Sequence, residues 1–189
     1  MFTQLAETVL SQLDCAPWGG AAGRHLPTPL RLYTPDERVR RDASPWTLVQ
    51  GILAPVQFVV FLVSLVLVLR FLWTGEGQAA ATGSVIAKTG MLYLIMVTGS
   101  IWEREIFGQY LFARSFFWED VMSMVVLALH TFYLAALFAG WLDPRGLALL
   151  ALMAYATYVI NAAQFVLKLR AARLDELRWP SAPVASQFS

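Results

Sequence analysis

Four long apolar stretches dominate the pattern of hydrophobic and polar positions along this sequence. They cover residues 46–72, 83–102, 118–141 and 147–167. Each stretch has the length that a membrane-spanning helix needs, which is about 20 mostly apolar residues. Tryptophans lie at the ends of these stretches, as in an aromatic belt at the membrane surface: Trp46, Trp73, Trp102, Trp118 and Trp141. The pattern predicts an all-α integral membrane protein with a four-transmembrane-helix bundle.

Two helix-start signals precede the first span. The motif TPDE at residues 34–37 combines an N-cap residue, a proline at the first helical position and a glutamate at the third. Ser44-Pro45 repeats the combination of cap and proline at the start of the first span. These signals predict a short N-terminal helix over residues 35–42 that leads into the membrane.

The basic residues predict how the bundle is oriented. Most lie before the first span, between the second and third, and after the fourth: Arg31, Arg38, Arg40, Arg41, Arg104, Arg114, Lys168, Arg170, Arg173 and Arg178. Since loops rich in Lys and Arg stay on the cytoplasmic side, both termini and the short N-terminal helix are predicted to be cytoplasmic. The protein is therefore expected to be a multi-pass membrane protein.

Composition divides the chain into three parts. Residues 1–31 form a linker-like extension that contains the single cysteine, residues 32–170 form the membrane domain, and residues 171–189 form a cytoplasmic tail. Hydrophobic residues make up 58% of the sequence and charged residues 14%, a composition typical of membrane proteins. The net charge is only +1 and no basic run with interleaved aromatics occurs, which argues against nucleic-acid binding.

Four carboxylates lie at the ends of two neighbouring spans. The motif WERE at residues 102–105 closes the second span, and FFWED at residues 116–120 opens the third. A charge near lipid is costly, so this cluster is a candidate functional site. Glu103 and Glu105 are two residues apart and therefore point to different sides of a helix, so only one is expected to face the bundle. The structural alternative is a salt-bridge network with Arg104 and Arg114.

Polar residues also recur inside the spans. Gln50, Gln57 and Ser64 share one helix face, and Asn161 lies in a second polar stripe that ends at Lys168. Such residues often join membrane helices by hydrogen bonds, and a polar wall of a substrate cleft is the functional alternative. Lys88 in the second span and Lys168 at the end of the fourth are expected to snorkel towards the membrane surface.

His130 lies near the middle of the third span, on the same helix face as Glu119 and Tyr133. Glu119 and His130 are about 16 Å apart along the helix axis, so they cannot touch but could both contact one large flat ligand. A neutral imidazole is a natural axial ligand for a chelated metal. The sequence has no CxxC, HExxH, GxSxG, P-loop or GxGxxG motif. Carboxylates, amides, tyrosines and a histidine suit acid–base chemistry on a hydrophobic substrate.

Two long segments resemble one known family. LYTPDERVRRDASPWTLVQGILAPVQF at residues 32–58 and MVTGSIWEREIFGQYLFARSFFWEDVMSMVVLALHT at residues 96–131 resemble the 2-vinyl (also called 3-vinyl) bacteriochlorophyllide hydratases. The resemblance implies a membrane hydro-lyase of anoxygenic phototrophs. Such an enzyme adds water to the C3 vinyl group of a chlorophyllide or bacteriochlorophyllide, giving the 1-hydroxyethyl product on the route to bacteriochlorophyll a. It also implies the cytoplasmic or intracytoplasmic photosynthetic membrane as the location. The resemblance implies no separate cofactor: hydration needs none, and the magnesium ion of a chlorophyllide is part of the substrate.

This chemistry assigns roles to the carboxylates. Hydration of a vinyl group begins with a proton on the terminal carbon, so the enzyme needs an acid that is protonated near neutral pH. Burial and like-charged neighbours both favour a protonated carboxyl group, which makes Glu103, Glu119 and Asp120 the candidate acids. A second carboxylate or His130 would orient and deprotonate the water. His130 is alternatively an axial ligand of the substrate magnesium, and in that role it is not the base.

Eight further residues are candidates for binding the substrate. Aromatic side chains would lie against the macrocycle, the arginines would meet its propionate, and the amides would line the cleft. These candidates are Gln57, Tyr93, Trp102, Arg104, Arg114, Trp118, Tyr133 and Asn161.

Two other functions fit parts of the pattern. A non-enzymatic chlorophyll-binding or assembly protein would use His130 to hold a pigment. A scaffold subunit of a larger complex would use residues 1–31. A homo-oligomer, or association with other enzymes of pigment biosynthesis, is the expected kind of protein partnership.

Overall fold

The computed structural model describes residues 32–178, and all its regular elements in this range are helices. The helices are α1 (Pro35–Ala43), α2 (Pro45–Thr74), α3 (Gln78–Phe107), α4 (Phe117–Ala139) and α5 (Pro144–Arg178). Four of them are long and apolar enough to cross a membrane, which confirms the predicted four-span architecture: Pro45–Thr74, Gln78–Phe107, Phe117–Ala139 and Pro144–Leu174. The predicted N-terminal extension, the lone Cys15 and the last residues of the tail lie outside the described range.

Both predicted helix starts are present. Thr34 and Glu37 form a reciprocal capping box: the Thr34 amide donates to Oε2 of Glu37 at 2.8 Å, and the Glu37 amide donates to the Thr34 hydroxyl at 3.3 Å. Ser44 caps α2 by accepting from the Trp46 amide, and its hydroxyl donates to Oε2 of Glu105 at 2.7 Å. Ser44 therefore fixes the junction of α1 and α2 to the end of α3.

Replacing Ser44 by alanine should lower the free energy of unfolding by about 1–2 kcal/mol, because it removes a helix cap and a charge-assisted hydrogen bond. Unfolding of the protein in mixed micelles measures this loss. Ser100→Ala is the matched control, since the Ser100 hydroxyl bonds only the Val97 carbonyl of its own helix. Equal stability of the two variants would contradict the proposed junction.

The four long helices form two hairpins. α2 packs mainly on α3, and α4 packs mainly on α5. The turn between α2 and α3 requires glycine, because Gly75 and Gly77 have φ angles of 76° and 80°. The interface between the hairpins contains both apolar and polar side chains. In it, Phe61 of α2 lies 5.4 Å from Tyr155 and 4.9 Å from Tyr158 of α5, measured between ring centroids.

The polar residues predicted on one face of α2 are directed into the bundle. Gln57 and Ser64 are buried. The Ser64 hydroxyl hydrogen-bonds the hydroxyls of Ser84 and Tyr155, and so joins both hairpins. These contacts fit the structural interpretation for Ser64, whereas Gln57 keeps a buried amide oxygen with no partner among the described residues.

The prediction that Lys88 snorkels is wrong. α3 begins at Gln78, five residues before the predicted start of the span, so Lys88 lies ten residues into the helix. That position is about 15 Å from the helix start, too far for the side chain to leave the bundle easily. Lys88 is fully buried, and its Nζ lies 3.6 Å from the centroid of the Tyr158 ring.

Candidate active site

Glu103 and Asp120 meet where the loop of residues 108–116 joins α3 and α4. Glu103 lies in the last turns of α3, and Asp120 lies in the first turn of α4. Both side chains are buried, with exposed fractions of 5% and 4%, and their carboxyl groups lie close to each other. A carboxylate only accepts hydrogen bonds, so a hydrogen bond between the two groups requires one proton on the pair. Burial and the neighbouring carboxyl group both favour such a shared proton.

The connecting loop directs two backbone amides at this pair. The Phe112 amide donates to Oδ2 of Asp120 at 2.7 Å, and the Ala113 amide donates to Oε2 of Glu103 at 3.4 Å. Phe112 has a φ of 61°, a conformation that non-glycine residues rarely adopt. The Asp120 contact accounts for this strained backbone. Sequence patterns missed these donors, because a backbone amide carries no residue-type signal.

Glu119, the third buried carboxylate at this end of the bundle, forms an ion pair with a lysine. Oε2 of Glu119 accepts from Nζ of Lys168 at 2.6 Å, and the exposed fractions of the two side chains are 10% and 26%. Lys168 therefore binds a carboxylate rather than snorkelling freely, which corrects the sequence interpretation. The ion pair links the start of α4 to the last turns of α5, next to the Glu103–Asp120 pair.

The other charged residues of the WERE motif, and Arg114 in the connecting loop, are exposed. Glu105 is exposed and bonds Ser44, so the prediction that Glu103 and Glu105 face different sides is confirmed. Arg104 and Arg114 are also exposed, and Arg104 contacts the Tyr110 hydroxyl and ring. Within residues 32–178, neither arginine forms an ion pair with the carboxylates, so the proposed salt-bridge network is not observed.

An aromatic cluster packs around Phe116, at the end of the connecting loop. Trp102 lies 5.7 Å from Phe116 between ring centroids, and its Nε1 donates to the Thr47 hydroxyl at 2.9 Å. The cluster also contains Tyr33, Phe107 and Phe165. Trp102 is thus held by neighbours on α2 and in the loop, close to the turn that carries Glu103.

A second polar group lies deeper in the bundle. His130 is fully buried, and its Nδ1 bonds the Val126 carbonyl at 2.8 Å. Because a carbonyl only accepts, Nδ1 carries a proton, and in a neutral ring Nε2 then has a free lone pair. The Asn161 amide nitrogen donates to the Ser123 hydroxyl at 2.9 Å. Within residues 32–174, Nε2 of His130, Oδ1 of Asn161, Oε1 of Gln57 and Nζ of Lys88 have no hydrogen-bond partner.

The remaining predicted contact residues lie elsewhere. Tyr133 is buried near the opposite end of the bundle, beside a cavity with room for about one water molecule. Tyr93 and Trp118 face outward, with exposed fractions of 39% and 70%. The structure therefore brings Glu103, Asp120 and Glu119 together and keeps His130, Gln57 and Asn161 inside the bundle. Their roles towards a substrate stay predictions.

Comparison with known proteins identifies the family. The model of the 2-vinyl bacteriochlorophyllide hydratase family matches residues 33–171. The chain belongs to this family. A 2-vinyl bacteriochlorophyllide hydratase of Cereibacter sphaeroides is 67% identical over 146 residues, which cover 77% of this chain and 90% of that protein. One from Rhodobacter capsulatus is 66% identical over 149 residues, which cover 79% of this chain and 86% of that protein.

The family confirms the predicted class of activity, a hydro-lyase that adds water to a double bond. The comparison with solved structures finds no significant match. The roles of Glu103, Asp120 and Glu119 therefore have to follow from their own contacts. A hydratase needs a proton donor and an acceptor for the proton of the attacking water, and the buried, neighbouring carboxyl groups of Glu103 and Asp120 are candidates for these roles.

Proposed function

We propose that this protein hydrates the C3 vinyl group of a chlorophyllide or bacteriochlorophyllide, giving the 1-hydroxyethyl product in bacteriochlorophyll synthesis. The observation that carries the proposal is the pair of buried, neighbouring carboxyl groups of Glu103 and Asp120, which we infer to share one proton. Relatives that are two-thirds identical and named for this hydration support the choice of substrate.

In the proposed reaction, the carboxylic acid of the pair donates its proton to the terminal vinyl carbon. The π electrons of the vinyl group form the new C–H bond, and the inner carbon becomes a cation that is delocalised into the macrocycle. A water oxygen then bonds to the inner carbon, and its released proton returns to the pair. The reaction has no net oxidation or reduction, so it requires no redox cofactor. A positioned acid or base typically contributes about 10²–10⁴-fold to the rate.

The loop amides stabilise the intermediate state of this cycle. When the proton has left, both Glu103 and Asp120 are carboxylates at close range. The amides of Phe112 and Ala113 already point at these oxygens and need no reorganisation. Glu119 is less suited to donate a proton, because Lys168 holds it as an ion pair. We assign Glu119 the task of orienting the water.

His130 is too far from the pair to act as base at the same vinyl group. Asp120 and His130 are ten residues apart in α4, which corresponds to about 15 Å along the axis. We therefore assign Nε2 of His130 to the magnesium at the centre of the chlorin. The neutral ring and its fixed tautomer fit an axial ligand.

Removal of the metal tests this assignment. His130→Ala should raise KM about tenfold for the magnesium-containing substrate and leave KM for the metal-free chlorin unchanged. The wild-type protein should bind the metal-free substrate more weakly than the magnesium form. Measurement of KM for both substrates with both proteins gives the four values needed. Equal losses for the two substrates on His130 replacement would contradict magnesium ligation.

The macrocycle is proposed to enter between the two hairpins. Each hairpin packs mainly within itself, and the interface between them contains the buried groups that have no partner. The cavity beside Tyr133 is far too small for a chlorin, so the hairpins must separate to admit it. Trp102, Tyr133, Gln57 and Asn161 would then contact the ring. Arg104 and Arg114 are proposed contacts for the propionate where it reaches the membrane surface.

The proposed location is the bacterial inner membrane with both termini cytoplasmic. Four spans place the two described ends of the chain on one side, and that side carries most of the arginines. The carboxyl pair then lies near the cytoplasmic surface, where water for the reaction is available. Association with a second copy or with other enzymes of pigment biosynthesis belongs to the same proposal.

An isotope experiment tests the function. Purified protein is incubated with 3-vinyl chlorophyllide in ¹⁸O-water, and the product is analysed by mass spectrometry. The expected product is a hydroxyethyl chlorin that has gained one water and carries the label. Tight pigment binding without any product would overturn the proposal and favour the pigment-binding alternative centred on His130.

A further inference from the structure

Lys88 is a buried amine that the proposed mechanism does not use. Its side chain is fully buried in the interior of the bundle, ten residues from the start of α3. Nζ lies 3.6 Å from the Tyr158 ring centroid and 6.0 Å from the Phe61 ring centroid. Among the described residues, no carboxylate or other hydrogen-bond acceptor contacts it.

An amine in this position is costly unless something accepts its hydrogen bonds. Ionisable residues inside membrane bundles normally pair with each other or with backbone carbonyls. The Tyr158 ring offers a cation–π contact, which occupies one side of the ammonium group only. Two hydrogen-bond acceptors on other helices, Oε1 of Gln57 and Oδ1 of Asn161, are also buried without a partner among the described residues. These unpartnered atoms give the interior of the bundle a donor and acceptors for a polar ligand.

We propose that Lys88 binds the oxygen-bearing edge of the substrate macrocycle, remote from the C3 vinyl group. This inference rests on the proposed function. Chlorophyllides carry a keto oxygen and a propionate carboxylate on that side, and both accept hydrogen bonds from an amine. Lys88 contacts the keto oxygen if Arg104 and Arg114 hold the propionate, and contacts the propionate only in their place. Lys88 is then a residue that positions the substrate and determines specificity, while Glu103 and Asp120 act on the vinyl group at the other edge.

The spacing along α3 fits this arrangement. Lys88 and Glu103 are fifteen residues apart, or about 22 Å along the axis, and their directions around the helix differ by about 60°. Side chains in a helix lean towards its N-terminus, so Lys88 and Glu103 lean the same way and their separation along the axis stays about 22 Å. The two groups therefore lie in opposite halves of α3, as contacts with opposite edges of one substrate require.

The test compares Lys88→Met with wild type. Replacement of a buried charge by an apolar side chain of similar length is often neutral or stabilising, so the variant should fold. Its KM for the vinyl chlorophyllide should rise about 10- to 100-fold while kcat changes little, because a ground-state contact is lost. Thr89→Val is the matched control, since Thr89 is also buried and bonds only the Val85 carbonyl of its own helix.

Substrate analogues identify which oxygen Lys88 contacts. If the contact is the propionate, the methyl ester should show no difference in KM between wild type and Lys88→Met. If it is the keto oxygen, the analogue without that oxygen should show no difference and the ester should still show one. A merely structural lysine predicts lower stability and equal effects on all substrates.

Three outcomes separate the possible failures. An unchanged KM for Lys88→Met, or the same KM increase for every analogue, would overturn the role of Lys88. A loss of stability with unchanged KM would also overturn it. Absence of hydration by the wild-type protein would instead refute the proposed function, so the two failures can be distinguished.

Discussion

Replacing Glu103 by glutamine should lower kcat for vinyl hydration by about 10²–10⁴-fold, the contribution expected of a positioned acid. Asp120→Asn should cause a loss of the same order, because in the proposed mechanism the two neighbouring carboxyl groups share one proton and act as a unit. For the same reason, the double variant should be little worse than either single variant. Turnover of the vinyl substrate by the purified variants measures each effect.

Glu105→Gln provides the matched control for this prediction. Glu105 belongs to the same short motif, but its side chain is exposed and bonds Ser44 on the outside of the bundle. Its replacement should leave kcat within about twofold of wild type, because surface substitutions are usually near neutral. Full activity of both Glu103→Gln and Asp120→Asn would remove the carboxyl pair from the mechanism.

Lys168→Met should destabilise the protein by about 2–4 kcal/mol, because it leaves the Glu119 carboxylate buried without its partner. Adding Glu119→Gln to this variant should recover most of the loss, since the unpaired charge is then removed. Thermal or detergent unfolding of the single and double variants measures both changes. Arg170→Met is the control, since Arg170 is an exposed cation two residues further along α5.

Equal destabilisation by the single and double variants would contradict this account of the ion pair. The result also bears on function. If the double variant is stable yet slow, Glu119 contributes to handling the water in addition to its structural role. If it is stable and fully active, Glu119 serves only to hold α4 and α5 together.

The sequence predicted the architecture because the relevant signals are local. The length of an apolar run decides whether a helix spans a membrane, and that length can be counted directly. The caps at Thr34 and Ser44 also depend only on residues within one helical turn. The different directions of Glu103 and Glu105 followed from helix periodicity alone. These predictions required no knowledge of how the helices pack.

The rest of the site depends on packing between helices. Sequence reasoning grouped Glu103, Glu119 and Asp120 but could not tell which two are neighbours and which one pairs with a lysine, because that depends on how the helices pack. Sequence reasoning also placed Lys88 at the membrane surface, because the apolar run begins at residue 83 whereas the helix begins at Gln78. The loop amides of Phe112 and Ala113 were missed, because no side chain marks them.

The central claim is that the Glu103–Asp120 pair holds a proton in the resting enzyme. Infrared spectroscopy of the purified protein at neutral pH tests it most directly, because a protonated carboxyl group has a carbonyl stretch distinct from that of a carboxylate. The account predicts such a band, shifted in heavy water and absent from both Glu103→Gln and Asp120→Asn. A wild-type spectrum without the band, or a band unchanged in both variants, would contradict the account.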